Sequence, residues 1–142
     1  MKYSKQGHCI YYAKYHIVLS TRYRRKILKE GMRGYLRWTL KSIERKYPEV
    51  RILEMNTDID HMHLLVSIPP KISVSEVVRI IKSNTGKAMR KKYDFLRYVY
   101  YGRGGIWSVG YFVSTTGITE DVIKRYIEHQ GQEDRGQAEL EF

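Results

Sequence analysis

The fold of this chain is decided by residues 50–68, VRILEMNTDIDHMHLLVSI. Two runs rich in apolar and β-branched residues, 50–57 and 60–68, stand on either side of a short polar gap around Asp58. Two such runs joined by so short a gap predict an antiparallel β-hairpin. Its second strand carries the most informative side chains of the sequence.

Two histidines in this second strand are separated by one apolar residue. Side chains alternate between the two faces of a strand, so His61 and His63 project from one face and Met62 from the other. Imidazole is the commonest metal-binding side chain, and two on one face can hold a single cation. Asp60 alternates to the opposite face if the strand is regular, which predicts a structural role or turn chemistry shared with Asp58.

The remaining segments predict a split βαβ order around the hairpin. The expected fold is an α+β, ferredoxin-like β-α-β-β-α-β antiparallel sheet with an additional C-terminal helix. Residues 1–130 form one domain in this interpretation, and residues 131–142 form a frayed acidic tail. The other predicted elements are strand Ile10–Leu19, a helix over 29–47, a helix capped by Ser73 or Ser75, strand Trp107–Thr115 and a last helix capped by Thr119.

Length and cysteine content restrict the class of protein. With 142 residues and a single cysteine, Cys9, the chain can bury a core but cannot build a disulfide framework or a multi-cysteine zinc site. No basic-plus-apolar leader is present, and no apolar run approaches the roughly 18 residues that a membrane span needs. We therefore expect a soluble, cytoplasmic protein.

The charge of the chain points to a polyanionic partner. The net charge is +11, and because residues 131–142 carry −3, the remaining body carries +14. Such an excess attracts nucleic acid, although a solvated basic surface would show the same charge. The 13 tyrosines favour nucleic acid, since aromatic side chains beside cations suit unpaired bases.

The last predicted helix carries a second candidate pair. Residues four apart share a helical face, so Tyr126 and Gln130 emerge together. A phenol can act as a nucleophile, and an amide oxygen can bind a cation. Val122 and Tyr126 also fit a face that packs on the sheet, so a core position for Tyr126 stays open at this stage.

These motifs together resemble the single-tyrosine HUH transposases of small bacterial and archaeal insertion sequences, the IS200/IS605 type. The resemblance rests on His61-Met62-His63, on Tyr126-x-x-x-Gln130, and on the stretches 15–26 and 107–117. It covers about residues 8–130.

The resemblance implies a DNA strand transferase that needs no ATP. Tyr126 would be the nucleophile of a 5′-phosphotyrosine intermediate, and His61, His63 and Gln130 would bind Mg²⁺ or Mn²⁺, although the histidines alone favour zinc. The substrate would be single-stranded DNA with hairpins at transposon ends. The enzyme would be a homodimer whose active site can be shared between subunits. The candidate DNA contacts are Arg22, Tyr23, Arg24, Arg25, Lys82 and Lys87.

Other functions remain compatible with the sequence. A related HUH replication initiator, a relaxase or a domesticated transposase would keep the chemistry. A non-catalytic module that binds RNA or single-stranded nucleic acid would keep the fold alone. A phosphatase or nuclease with metal-activated water is a weaker alternative, because few carboxylates lie near the histidine pair. We expect ordinary surface or packing roles for His8, His16 and His129.

Overall fold

A computed structural model describes residues 3–6, 9–100 and 105–140, with the backbone alone for residues 4, 6, 9–10 and 137–140. His8 lies outside the described residues. In chain order the elements are β1 Ser4–Gln6, β2 Cys9–Tyr11, β3 Lys14–Ser20, α1 Arg33–Lys46, β4 Arg51–Asp58, β5 His61–Ser67, α2 Val74–Lys92, α3 Phe95–Val99, β6 Phe112–Ser114 and α4 Glu120–Leu140.

The main sheet has four antiparallel strands in the order β4-β5-β3-β6. Strand β3 therefore lies between the hairpin and β6, and the elements from β3 to β6 follow the predicted β-α-β-β-α-β order. The ferredoxin-like α+β fold is confirmed, including the C-terminal helix. A separate two-stranded hairpin, β1-β2, precedes the sheet.

The hydrophobic core lies between one face of this sheet and helices α1 and α2. Alternate residues of β5, such as Met62 and Leu64, are fully buried there against Leu36 of α1 and Ile81 of α2. Burial of each such side chain contributes roughly 1.5–3 kcal/mol. The core therefore fixes the register of β5 and directs the intervening residues to the opposite face, which we call the open face.

Two helix starts agree with the predicted caps. The hydroxyl of Ser73 accepts a hydrogen bond from the Glu76 amide at 3.1 Å, and that of Thr119 accepts one from the Val122 amide at 3.3 Å. Such caps satisfy amides that have no partner within the helix.

Other predicted boundaries were wrong for identifiable reasons. Helix α1 begins at Arg33, after a 3-10 turn, rather than near residue 29. Strand β6 is shorter than the predicted Trp107–Thr115. Before Phe112 the segment does not pair as a regular strand, and the Lys82 ammonium donates hydrogen bonds to the carbonyls of Ser108 and Gly110 at 2.6 and 2.9 Å.

The predicted frayed tail after residue 130 is also corrected, because helix α4 continues to Leu140. Gly131 and Asp134 are buried rather than solvated. In the part of the chain that the structure describes, no helix is long and apolar enough to cross a membrane.

Candidate active site

The histidine pair faces a cavity of about 590 Å³ between the open face and helix α4. His61 and His63 are both half-buried and lie on the same side of β5, as the alternation predicted. Helix α4 closes the cavity opposite them with Ile123 and Ile127. The rest of the lining comes from Arg24, Asn56, Thr57, Asp58, Ile59, Asp60, Ile118, Glu120 and Lys124.

The His61 ring is held by the residue before it. Its Nδ1 lies 2.9 Å from Asp60 Oδ1, and Arg24 Nε lies 3.5 Å from Asp60 Oδ2. The hydrogen bond with His61 is the main reason that the pKa of Asp60 is lowered, opposed by partial burial and assisted by Arg24. The predicted orientation of Asp60 was wrong: Asp60 precedes β5 in the turn, where strict strand alternation does not apply.

His63 has a different partner. Its Nε2 lies 3.1 Å from Nδ1 of His16 on β3, with ring centroids 5.3 Å apart. Burial lowers the pKa of His63 first, and the charges of His16 and His61 lower it further, against a smaller opposing effect of Glu54. His63 is therefore a neutral imidazole at neutral pH. The sequence predicted only an ordinary surface or packing role for His16 and did not predict this contact. The β3–β5 register creates it by pairing Val18 with His63.

Tyr126 and Gln130 share one face of α4, but that face is directed towards β6 and the segment before it. The Tyr126 ring lies 5.9 Å from the Phe112 ring. The Gln130 side chain sits beside Gly110, where a Cβ atom would stand 2.5 Å from its Oε1. Neither residue lines the cavity beside the histidines. The structure thus brings Tyr126 and Gln130 together, and it places Tyr126 near Ser20, which pairs with His61 in the sheet.

The Tyr126 hydroxyl is buried and has no hydrogen-bond partner among the described residues. Burial raises the pKa of Tyr126 well above its usual value of 10. Ser20 lies near enough to offset part of that rise, although not in hydrogen-bonding geometry. The phenol is accordingly protonated and shielded in this arrangement.

A buried carboxylate, Asp134, holds helix α4 in place. Only 2% of Asp134 is exposed. It accepts hydrogen bonds from the Tyr23 amide at 2.9 Å, the Ser108 hydroxyl at 2.5 Å and the Gln130 amide at 3.2 Å. The sequence did not predict this role, because the acidic residues after residue 130 favoured a frayed tail. The spacing of Gln130 and Asp134, four residues apart, was the available signal.

The predicted DNA contacts fall into three environments. The first is the basic turn, residues 22–25, where the Arg22 and Arg25 guanidinium groups lie 5.4 and 5.7 Å from the Tyr23 ring centre. Lys82 instead points inwards, and burial lowers its pKa to about 8. Lys87 lies exposed on α2. The basic turn and Lys87 are thus available to a polyanion, whereas the Lys82 ammonium is occupied.

The family model that matches the segments of this fold carrying the His-x-His pair and Tyr126 is that of a transposase. The chain belongs to the IS200-like transposase family: the family model described as "Transposase IS200 like" matches residues 9–130.

Relatives agree with this assignment. The chain is 37% identical over 132 residues to the transposase for insertion sequence element IS200 of Salmonella typhimurium, covering 91% of this chain and 84% of the relative. It is 27% identical over 122 residues to the ISDra2 transposase TnpA of Deinococcus radiodurans, covering 85% and 86%.

Two solved structures share the fold. A crystal structure of a candidate transposase from Deinococcus radiodurans R1 superposes with a TM-score of 0.76 at 24% identity, over 89% of this chain and 97% of that one. A REP-associated tyrosine transposase bound to a REP hairpin gives a TM-score of 0.54 at 19% identity, over 87% and 68%.

Proposed function

We propose that this transposase cleaves and rejoins single-stranded DNA through a covalent tyrosine intermediate. The Tyr126 oxygen attacks phosphorus, forms a phosphotyrosine with the 5′-phosphate, loses its proton and releases a 3′-OH. A 3′-OH then reverses the step and rejoins strands without ATP. The observation that carries this proposal is the histidine pair facing a cavity that the tyrosine-bearing helix closes, in a chain of this family.

His61 and His63 fit a divalent metal site in the chemistry and placement of their donors. The Asp60 contact occupies Nδ1 of His61 and leaves its Nε2 available, and His63 is neutral. Among the described residues no group of three or more His, Cys, Asp or Glu side chains could hold a metal ion. We assign the third position to Gln130, as the resemblance to this family implies, because its amide oxygen can bind a cation. Bound Mg²⁺ or Mn²⁺ would polarise a non-bridging phosphate oxygen.

The proposed chemistry requires helix α4 to change position relative to the sheet, or a second copy of the chain to supply it. Neither Tyr126 nor Gln130 lines the cavity, the Tyr126 hydroxyl and the Gln130 side chain are buried, and the Gln130 amide is bonded to Asp134. We propose a homodimer in which either arrangement can complete the site.

DNA hairpins are the proposed substrate. The body of the chain carries a large positive charge, the basic turn combines arginines with a tyrosine ring, and the structural neighbour named above is bound to a REP hairpin. On α1, Trp38 is 56% exposed and its ring stacks on Tyr35 with centroids 5.6 Å apart. Aromatic faces beside cations can stack on unpaired bases.

The test is covalent capture of DNA. Purified protein is incubated with single-stranded hairpin DNA from its flanking genomic ends, with Mg²⁺ or Mn²⁺, beside Tyr126→Phe and His61→Ala. The exposed Tyr98→Phe serves as the matched control, because 81% of Tyr98 is in contact with solvent. We expect a metal-dependent 5′-DNA adduct with the wild type and the control only. Tight binding with no adduct would favour a non-catalytic binding module.

A further inference from the structure

Three side chains from two parts of the fold make a continuous contact: Arg24 of the basic turn, and the neighbours Asp60 and His61 at the start of β5. We propose that Asp60 is a positioning residue that fixes the tautomer and ring orientation of His61, and that Arg24 links this carboxylate to helix α4. The inference rests on the proposed function, because it concerns how His61 is prepared to bind the metal.

The tautomer follows from the chemistry of the contact. An ionised carboxylate can only accept, so Nδ1 of His61, at 2.9 Å from Asp60 Oδ1, must carry the proton. In the neutral ring the lone pair then lies on Nε2, the atom available to a cation. A carboxylate behind a metal-binding imidazole fixes its orientation and raises its basicity.

Asp60 is itself held through both its main chain and its side chain. The carbonyl of Asp60 accepts hydrogen bonds from the Thr21 amide at 2.9 Å and the Thr21 hydroxyl at 3.2 Å. Arg24 Nε lies 3.5 Å from Oδ2. The side chains of Asp60 and His61 are only 13% and 19% exposed. Water therefore competes weakly for the contact, and His61 is held in one orientation.

Arg24 connects this assembly to the helix that carries the tyrosine. Its backbone is in the left-handed region, with φ of 52°, a conformation that persists in a non-glycine residue only where the surroundings enforce it. A Cβ atom at Gly131 of α4 would lie 2.7 Å from Arg24 Cδ, so glycine permits this close packing. The Arg24 side chain therefore packs its aliphatic part on α4 and places its guanidinium beside the Asp60 carboxylate.

His63 lacks an equivalent support. Its Nε2 faces Nδ1 of His16 at 3.1 Å, a ring nitrogen that can donate or accept the hydrogen bond depending on its tautomer. A carboxylate thus orients His61 but not His63, and loss of Asp60 should change the tautomer and ring orientation of His61.

The experiment compares Asp60→Ala and Asp60→Asn with Asp58→Asn. The Asp58 variant removes the same charge from the same cavity while its amide oxygen can still accept from Ile59. The first readout is the His61 tautomer in metal-free protein, measured by long-range ¹H–¹⁵N NMR at a pH where the ring is neutral. The second is Mn²⁺ affinity by calorimetry.

We expect the Nδ1–H tautomer of His61 in the wild type and its loss in Asp60→Ala, with Mn²⁺ affinity lowered about 10- to 100-fold. Asp60→Asn should retain the tautomer and lose less affinity. Asp60→Leu, whose side chain likewise accepts no hydrogen bond, replaces the alanine variant if that chain does not fold. Asp58→Asn should keep the wild-type tautomer and bind Mn²⁺ more tightly than Asp60→Ala.

An unchanged tautomer and unchanged Mn²⁺ affinity in folded Asp60→Ala would overturn the inference. A wild type that binds no Mn²⁺ through His61 and His63 would overturn the metal site of the proposed function instead. The metal-free tautomer comparison distinguishes the two failures.

Discussion

Removal of the phenol oxygen from Tyr100 and from Tyr126 should change the free energy of unfolding in opposite directions. Burial is the main reason that the pKa of both Tyr100 and Tyr126 is raised. The Tyr100 hydroxyl donates to the Arg22 carbonyl at 2.7 Å, whereas the Tyr126 hydroxyl has no partner among the described residues. We predict that Tyr100→Phe lowers the free energy of unfolding and that Tyr126→Phe raises it.

The magnitudes follow from these two environments. Loss of the Tyr100 hydrogen bond should cost about 1 kcal/mol, the usual net value for a neutral pair. An unsatisfied buried polar group costs about 1–3 kcal/mol, and because Tyr126 is only partly buried we expect its removal to recover about 1 kcal/mol. The two variants should therefore differ by about 2 kcal/mol.

Urea unfolding followed by circular dichroism measures this difference. With a slope of about 2 kcal/mol/M, the two midpoints should lie about 1 M apart, on opposite sides of the wild type. Tyr126→Phe should also abolish the covalent DNA adduct, so the same variant would gain stability and lose activity. If Tyr126→Phe is destabilised as much as Tyr100→Phe, the unsatisfied phenol described above is refuted.

Three further predictions concern the packing of helix α4. Asp134→Ala should lower the free energy of unfolding by about 3 kcal/mol, because three buried donors lose their acceptor, whereas exposed Glu133→Ala should change it by less than about 0.5 kcal/mol in urea melts. The Lys82 pKa is lowered to about 8 by burial, so the penalty for its charge is complete below pH 8 and is relieved as the pH rises towards the unfolded value of 10.5. The stability of the wild type relative to Lys82→Met should accordingly increase between pH 8 and 10.5, and a constant difference would contradict this. Gly110→Ala should displace the Gln130 side chain and cost about 1 kcal/mol, seen as a lower Tm, while an unchanged Tm would show that the glycine is not required there.

Local periodicity was sufficient to predict the parts of the site that lie within one regular element. The two-residue period of a strand placed His61 and His63 on one face of β5, and the helical spacing placed Tyr126 and Gln130 on one face of α4. Both follow from backbone geometry, which the local sequence determines.

Long-range contacts determined what periodicity could not predict. The direction of the Tyr126 face depends on Gly110 and on the hydrogen bonds that Asp134 accepts from Tyr23 and Ser108, which come from distant parts of the chain. His16 reaches His63 only through the strand register, and Asp60 reaches His61 because the turn ends regular alternation. The contacts of Gly110, Asp134 and His16 depend on the tertiary fold, whereas the contact of Asp60 with His61 depends on the conformation of the turn before β5.

The free chain holds its proposed nucleophile in an unreactive state, and the energies involved show that DNA could release it. A protonated Tyr126 with a buried hydroxyl cannot attack a phosphate in solvent, so catalysis within one chain requires the contacts of Asp134 to be broken or replaced. Breaking these hydrogen bonds costs about 3 kcal/mol, the same as in Asp134→Ala. DNA offsets this cost only by its difference in affinity for the two arrangements, which would have to be about 150-fold. The affinity of even non-specific binding, with dissociation constants of about 10⁻⁴ to 10⁻⁶ M, is large enough to contain such a difference. Because the Tyr23 amide is bonded to Asp134, DNA bound at the basic turn would act directly on the residue that holds the helix.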